Sequence, residues 1–358
     1  PSTQIDFYTL INGLTNPPSA PYVLSLERNG TVEGLVTGRV VVQDFNLRLG
    51  YQRVRLGKVR QLNLLHGGIL GCAAEDGATA AIQTLKAKLR ERTLDLIFLN
   101  FTDTASPFYQ AAMRQFGLLQ REPFVESQLH WKAILPKSAE EFFQRCNKKH
   151  RYWLRRLQKK VEQDFPGKVV VRRVNDARAE PQIMRDMERV ASRTYQRAMG
   201  VGFQQNAEHT ARLALASEKN WLRAYVLYLG ESPRAFWLGS VYKQTFFSEA
   251  TGYDPDFREY EPGTVLFVKM IESLCAEGVV AFDFGLGDAL YKQRFGDQHW
   301  REASVRFFAP SPRGRSLHLA DALLTGPAFC AKHLLERLKL LQRLKTFWRR
   351  RLAGGSKA

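Results

Sequence analysis

Asp283-Phe284-Gly285-Leu286-Gly287-Asp288-Ala289-Leu290-Tyr291-Lys292-Gln293-Arg294-Phe295-Gly296 continues an apolar run that starts at Val279, passes two glycines and ends in a short helical stretch presenting Tyr291 and Lys292. The run Val279 to Phe284 reads as a buried strand. Upstream, Tyr253-Asp254-Pro255 leads to Glu261-Pro262-Gly263-Thr264, where a second helix opens. Val265, Leu266, Val268, Met270, Ile271, Leu274 and Cys275 recur at helical spacing as far as Gly278, so one face of this helix packs on a sheet. Pro262 has no N–H to leave unpaired in the first turn, and Gly263 has no side chain to hold a ligand off the backbone. A helix start offers free N–H groups and partial positive charge, which suits a phosphate. An ordinary strand-helix-strand crossover has the same outline, and the Tyr-Lys segment is what favours a site.

Residues from about Leu135 to Pro310 resemble the CelD/BcsL-type acetyltransferase-like family of the GNAT superfamily, a branch often encoded near exopolysaccharide genes. The matching pieces stand in order. They are the basic run Asn147 to Leu157, Thr194-Tyr195-Gln196, Gly252-Tyr253-Asp254, Glu261-Pro262-Gly263 and Asp283 to Lys292. The C-terminal pattern is also similar to FemABX-type transferases, which attach amino acids from aminoacyl-tRNA to cell-wall precursors and share an aromatic-Lys pair followed by Phe-Gly, here Tyr291-Lys292 and Phe295-Gly296.

The resemblance implies an α/β fold of tandem GNAT-like (acyl-CoA N-acyltransferase) units with mixed central sheets, plus a basic amphipathic C-terminal helix. The expected division is an N-terminal unit over 1–135, a basic linking helix over 136–165, a donor-binding unit over 166–312 and the C-terminal helix over 313–358. The implied activity is transfer of an acyl group, most simply acetyl from acetyl-CoA, to an amine or hydroxyl acceptor in polysaccharide or cell-envelope metabolism. Acyl-CoA is then a co-substrate, and no metal is called for. Two other readings stay open: a FemABX-like aminoacyl-tRNA-dependent transferase, and a non-catalytic GNAT-shaped protein that binds membrane or polyanion. In the family's order of elements Tyr291 stands where an acid for the leaving thiolate is expected. Lys292 is then a neutraliser of phosphate or oxyanion, and Glu249, in the strand Phe246 to Ala250, a general base. Asp283 and Asp288 rival Glu249, although Asp283 and Gly287 suit structural roles in the turn. Gly263, Thr264, Gly287 and Asp288, with Arg155 and Arg156, are the expected donor contacts. One departure stands out: Tyr260-Glu261-Pro262-Gly263-Thr264-Val265 carries a single glycine where many family members have a longer glycine-rich phosphate loop. That keeps an acyl carrier protein and aminoacyl-tRNA open as donors beside CoA.

The 358 residues, 44% of them hydrophobic, exceed one average domain and supply a core. No apolar run approaches the roughly 18–20 residues that span a bilayer. Pro1-Ser2-Thr3-Gln4-Ile5-Asp6 lacks the basic and apolar regions of a signal peptide. Cys72, Cys146, Cys275 and Cys330 lie far apart without metal-ligand spacing, and read as reduced thiols in a cytoplasmic protein.

The formal net charge of +18 is concentrated, with +9 over Gln144–Arg173 and +10 over Arg301–Ala358, leaving the rest near neutral. Localised charge points to a polyanion: CoA phosphates, an acidic carrier protein, tRNA or anionic lipid. The first segment reads as one helix opened by the capping box Ser138-Ala139-Glu140-Glu141, with Phe143, Cys146, His150, Trp153, Leu154, Leu157 and Val161 on its apolar stripe. His150, inside that stripe, reads as a packed histidine. The second reads as a helix from Thr325-Gly326-Pro327 through Leu334, Leu338, Leu341, Leu344, Trp348 and Leu352, either packed on the domain or lying on a membrane surface. With a lipid contact the protein would be peripheral at the inner face of the membrane. In the N-terminal part, Asn29-Gly30 makes a hairpin over Tyr22–Val36, and His66-Gly67-Gly68 reads as a turn. A helix over Ala78–Arg92, a strand over Leu94–Leu99, a helix over Phe108–Phe116 and a strand over Ser127–Leu135 follow.

Overall fold

The computed structural model describes residues 4–14, 18–49, 52–72, 74–194, 197 and 202–337. In chain order its elements are α1 (Ile5–Leu14), β1 (Ala20–Arg28), β2 (Thr31–Leu49), β3 (Gln52–Leu70), α2 (Glu75–Arg90), β4 (Leu96–Asp103), α3 (Pro107–Gln115) and β5 (Ser127–Ile134). Next come α4 (Ala139–Gln144), α5 (Lys148–Asp164), β6 (Val169–Val174), α6 (Pro181–Ser192), α7 (Ala207–Glu218), β7 (Leu222–Leu229), β8 (Ser232–Tyr242) and β9 (Thr245–Tyr253). A 3-10 turn (Pro255–Tyr260), α8 (Pro262–Ala276), β10 (Ala281–Leu286), α9 (Leu290–Phe295), β11 (Gln298–Phe308) and α10 (Pro312–Arg337) complete the described chain.

The described residues divide into two compact units, 4–129 with 300–337, and 130–299. In the first unit, β1, β2 and β3 form an antiparallel meander, β4 pairs parallel to β3, and β11 pairs antiparallel to β4. Asn29 and Gly30 turn the first hairpin with φ of 51° and 77°, as two-residue hairpins require. His66-Gly67-Gly68 lies inside β3, not in a connecting turn as expected. The register with β2 slips between Val36 and Gly38, so this stretch is a bulge, and Gly67 takes φ +70°. The apolar face of α2 (Ala78, Ala81, Ile82, Leu85, Leu89) and that of α3 (Phe108, Ala111, Ala112) bury against Leu62, Leu64, Ile97 and Leu99.

The second unit carries the order β5-β10-β9-β8-β7-β6. Every residue of β7 is buried, because helices cover both faces of the sheet. On one face α5 and α8 bury Leu154, Leu157, Val161, Leu266, Phe267 and Ile271; on the other, α6 and α7 bury Ile183, Met187, Val190 and Leu213. The two units repeat one plan: an antiparallel strand pair, a helix, a strand parallel to the second of the pair, then a further helix. The strand that follows is exchanged in sequence. β5, which follows the first unit's helices, pairs with β10 from His130 onward, and β11, which follows α9, pairs with β4.

Several boundaries differ from the sequence reading for physical reasons. Ser138 caps its helix as expected, accepting the Glu141 N–H at 3.2 Å, but the basic segment is not one helix. Asn147 starts a new one by accepting the His150 N–H at 2.9 Å, so α4 and α5 are separate. Residues 136–165 thus fold as α4 and α5 into the second unit's core, where Phe142 and Leu154 are buried. Arg172 and Arg173 leave the helix altogether and sit on β6. The C-terminal helix starts at Pro312 rather than at Pro327, which falls inside it. Leu317 and Leu324 pack there against Phe45, Leu96 and Phe308, and this burial outweighs the cost, about 3 kcal/mol, of an internal proline. Leu338, Leu341, Leu344, Trp348 and Leu352, and with them the expected lipid-binding stripe, lie outside the described residues, as do Tyr195 and Gln196. Among the described residues no helix is long and apolar enough to cross a membrane.

Candidate active site

β9 and β10 run parallel for only three residue pairs, Thr245 with Ala281, Phe246 with Phe282 and Phe247 with Asp283. Beyond them β9 stays with β8 and β10 stays with β5. Each of those ladders slips at this level, between Leu238 and Gly239 and between Asp283 and Gly285. A bulge bends its strand, so the paired slips open a V between β9 and β10. Such a parting exposes backbone that a substrate can pair with.

The start of α8 follows from the same strand. Asp254, 1% exposed, closes β9 and accepts from Arg193 Nη1 at 2.6 Å and Arg234 Nη1 at 2.8 Å. Its other oxygen accepts the Asp256 N–H at 3.2 Å and so caps the 3-10 turn, whose Phe257 lies 3.7 Å beneath the Arg234 guanidinium. Glu261 then adopts a left-handed conformation (φ 42°, ψ 55°), which costs a non-glycine residue about 1–2 kcal/mol. The Glu261 carbonyl accepts from Thr264 N–H at 2.8 Å and Val265 N–H at 3.1 Å, yet no side chain caps the helix. A Cβ added at Gly263 would meet only Tyr253 Cδ1, at 3.7 Å. Packing therefore does not demand glycine there.

At the end of β10, Gly285 (φ +68°) and Gly287 (φ +95°) turn the chain toward α9. Lys292 is buried and donates to three successive carbonyls, Phe284 at 2.8 Å, Gly285 at 3.1 Å and Leu286 at 2.6 Å. Burial pulls its pKa down to about 8, against the pull of Asp283 and Asp288. All three ammonium protons are thus spent on the turn, so a contact to phosphate or oxyanion would have to displace one of them. Asp283 accepts from His130 Nε2 at 2.7 Å and from the Gly285 N–H at 2.8 Å, a structural placement. Asp288 is exposed and accepts from Gln293 at 2.8 Å.

Tyr291 packs edge-on against Trp237 and Phe284, with ring centroids 5.7 and 6.0 Å away. Trp237 in turn donates to Ser248 Oγ at 2.9 Å, just where β9 parts from β10. Glu249, the next residue, looks toward the other face. It accepts from Ser240 Oγ at 2.6 Å and from Arg212 of α7 at 3.4 Å. Tyr291 and Glu249 therefore flank the V from opposite faces of the sheet. Thr264 sits in the first turn of α8, its hydroxyl 3.3 Å from Glu261 Oε2. Arg155 and Arg156 do not adjoin that turn: Arg155 lines a groove against α4 and Val268 of α8, and Arg156 is exposed on α5. On α5, Lys160 reaches instead the preceding 3-10 turn, 3.6 Å from Glu259 and 4.5 Å above the Tyr260 ring. His150 packs on Trp153 and Phe295, and burial followed by the nearby Arg294 lowers its pKa.

Electrostatics separate the two units. The first turn of α8 holds no acid, whereas that of α2 holds Glu75 and Asp76, paired with Arg114 and Arg28. Carboxylates at a helix start oppose a phosphate; at α8 the nearest is that of Glu261, the residue before the first turn, bonded to the Thr264 hydroxyl.

Residues 148–293 match the family described as acetyltransferase (GNAT) domain. The fold is similar to that of FemX, with a TM-score of 0.56 at 9% identity over 84% of this chain and 90% of that one. Two further structures align more loosely. The C-terminal domain of a putative lysylphosphatidylglycerol synthetase from Agrobacterium fabrum has a TM-score of 0.49 at 12% identity, covering 85% and 89% of the two chains. A tandem GNAT protein from the clavulanic acid biosynthesis pathway has 0.45 at 9% identity, covering 82% and 85%. The curated proteins include no match. The chain thus has a mixed α/β fold similar to that of FemX, and the stretch that matches the acetyltransferase (GNAT) domain family lies within its second unit.

The residues that sequence reading missed are those whose partners lie far away. Asp254 was legible only as part of a motif, because Arg193 and Arg234 stand 61 and 20 residues from it. The His130–Asp283 pair, 153 residues apart, left no local signal.

Proposed function

We propose that the protein is an acyltransferase of the CelD/BcsL-type branch, moving an acyl group, most simply acetyl, from a thioester of the CoA type to an amine or hydroxyl acceptor in polysaccharide or cell-envelope metabolism. The observation that carries this reading is the V between β9 and β10, with the uncapped start of α8 after β9 and the Gly285–Gly287 turn after β10. The donor's phosphate lies against the Gly263 N–H and beside the Thr264 hydroxyl, and its thioester arm lies in the V. Gly287 leaves the mouth of the turn free of side chain, and Asp288, exposed beside it, contacts the donor's polar end. The acceptor's nitrogen or oxygen lone pair attacks the thioester carbon, forming the new C–N or C–O bond, and its proton passes to Glu249. Collapse breaks the C–S bond, and the leaving thiolate takes the Tyr291 hydroxyl proton. Lys292 acts by holding the turn that presents Tyr291. An aminoacyl-tRNA donor is the second reading, favoured by the exposed cations of α5. A cytoplasmic place suits either donor, and a lipid contact would fall to residues after Arg337.

Calorimetric titration with acetyl-CoA tests the donor. Gly263→Val places branched methyls on the helix start and weakens acetyl-CoA binding at least tenfold, about 1.4 kcal/mol, with the fold intact. Unchanged affinity in a folded variant removes the phosphate role. Tyr291→Phe keeps the ring contacts and loses only the hydroxyl, so turnover falls on the order of 10²-fold while donor affinity holds. Parallel loss of both would make Tyr291 a packing residue instead.

A further inference from the structure

The cations of α5 form a surface that acyl transfer, as described above, does not use. Lys148, Lys149, Arg155, Arg156 and Lys159 are exposed, and none has a carboxylate partner among the described residues. Their neighbours behave differently: Lys160 pairs with Glu259, and Arg151 donates to the carbonyls of Gln144 and Cys146. Beside these free charges, α4, α5 and α8 enclose a groove of about 860 Å³. Its floor is apolar (Phe143, Leu154, Val268), and its α5 wall carries Lys148, Tyr152 and Arg155. Tyr152 is 68% exposed, an aromatic left uncovered beside apolar surface.

The groove and the donor site share a helix. Val268 and Glu272 line the groove five and nine residues beyond Gly263, about 7–14 Å along α8 at 1.5 Å per residue. Charge is divided unevenly between the two ends. Around the helix start Glu259 and Glu261 oppose Arg258 and Lys160, so that end suits a single phosphate better than the several charges of CoA. Lys148, Lys149, Arg155, Arg156 and Lys159 lie together on α5, placed for a separate acidic body.

We propose that this groove docks an acidic amphipathic helix of a carrier protein, which delivers the acyl group as a phosphopantetheine thioester. The proposal rests on the reading of the α8 start as the donor site, and it names the form in which the donor arrives. An amphipathic helix needs an apolar floor and a charged rim, and both are present. Nucleic acid fits worse. Its bases and phosphates would leave the apolar floor of Phe143, Leu154 and Val268 unused. Attraction between the α5 cations and an acidic helix steers association and makes it salt-dependent.

The test uses the full chain and three probes: a purified acetyl-loaded acyl carrier protein, free acetyl-phosphopantetheine and bulk tRNA. The carrier is expected to bind with micromolar affinity that weakens several-fold between about 50 and about 300 mM salt. Lys148→Glu combined with Tyr152→Ala weakens carrier binding at least tenfold and shifts binding of the free arm by less than twofold. Lys148 opens α5, where a carboxylate favours the helix, so the variant keeps its fold. Gly263→Val does the converse, weakening the free arm and leaving carrier docking in place. A carrier that fails to bind, or binds the Lys148/Tyr152 variant as tightly, overturns the docking proposal whatever the arm does. If Gly263→Val leaves the arm unaffected while docking persists, the donor reading fails and the groove stands. Bulk tRNA that outcompetes the carrier, and is lost in the same variant, assigns the groove to nucleic acid and overturns the proposal.

Discussion

A piece of chain running from residue 127 to residue 299 is expected to fold cooperatively, whereas a piece cut at residues 136 and 312 is not. The difference is β5. In the second unit Ile134, Ala133, Lys132, Trp131 and His130 pair with Ala281 to Leu286 along the edge of β10 that β9 does not occupy. Ala133 and Leu135 are buried, and the Leu135 N–H reaches the Val280 carbonyl at 2.9 Å. Without that strand β10, the element carrying the Gly285–Gly287 turn, loses its antiparallel partner and keeps three parallel pairs. Losing these five ladder pairs and the burial of Ala133 and Leu135 takes away a large share of a domain's margin of about 5–15 kcal/mol. The piece from 136 to 312 instead carries β11, whose ladder partner β4 it lacks, and so adds an unpaired strand. Circular dichroism and denaturant titration of the two pieces decide the matter. Equal, cooperative unfolding of both would mean that β5 is dispensable to this unit.

That exchange explains which parts of the fold were legible in the sequence. α8 and β10 were readable because their signals are local: Pro262 and Gly263 at a helix start, apolar residues at helical spacing, and glycines after an apolar run. β10 begins two residues later than the run suggested, because the Val279 N–H closes the end of α8 on the Leu274 carbonyl at 3.0 Å. β5 was visible as a strand and β11 was not read as one, and nothing in a linear pattern says which ladder a strand joins. Among the site residues, Tyr291 and Lys292 looked like a chemical pair because they are adjacent. On a helix adjacent residues point about 100° apart. Tyr291 therefore meets Trp237 and Phe284, while Lys292 turns under β10 to three carbonyls. Backbone acceptors have no sequence signature, so a structural lysine reads like a functional one. Arg155 and Arg156 were singled out by charge density alone, and charge density does not give direction. Glu249 was visible as a strand carboxylate, but its ties to Ser240 and Arg212 came only with the sheet register and α7.

Asp254→Ala is expected to be the most damaging single substitution near the site. The wild-type carboxylate is buried between Arg193 and Arg234, whose side chains are 48% and 19% exposed. Removing it leaves the Arg234 guanidinium partly buried without its counter-ion, a loss of about 3–5 kcal/mol in comparable buried pairs. Arg193 can still reach water, so the low end, about 3 kcal/mol, applies. The effect on the donor site is larger than stability alone conveys. Asp254 also caps the 3-10 turn through the Asp256 N–H, and the Phe257 N–H bonds to its carbonyl at 3.0 Å. The same turn ends in the left-handed step at Glu261 from which α8 departs, where the Glu261 N–H bonds to the Arg258 carbonyl at 3.2 Å. Asp254→Asn keeps the cap acceptor but gives up the charge, so it should lose less stability and retain more acetyl-CoA affinity than Asp254→Ala. Denaturant unfolding measures the first quantity and calorimetric titration the second. If Asp254→Ala unfolds within 1 kcal/mol of the wild type, the two arginines are held by other means and Asp254 does not organise the helix start. If stability falls as expected while donor affinity is untouched, the turn is structural and the phosphate must rest elsewhere than on the first turn of α8.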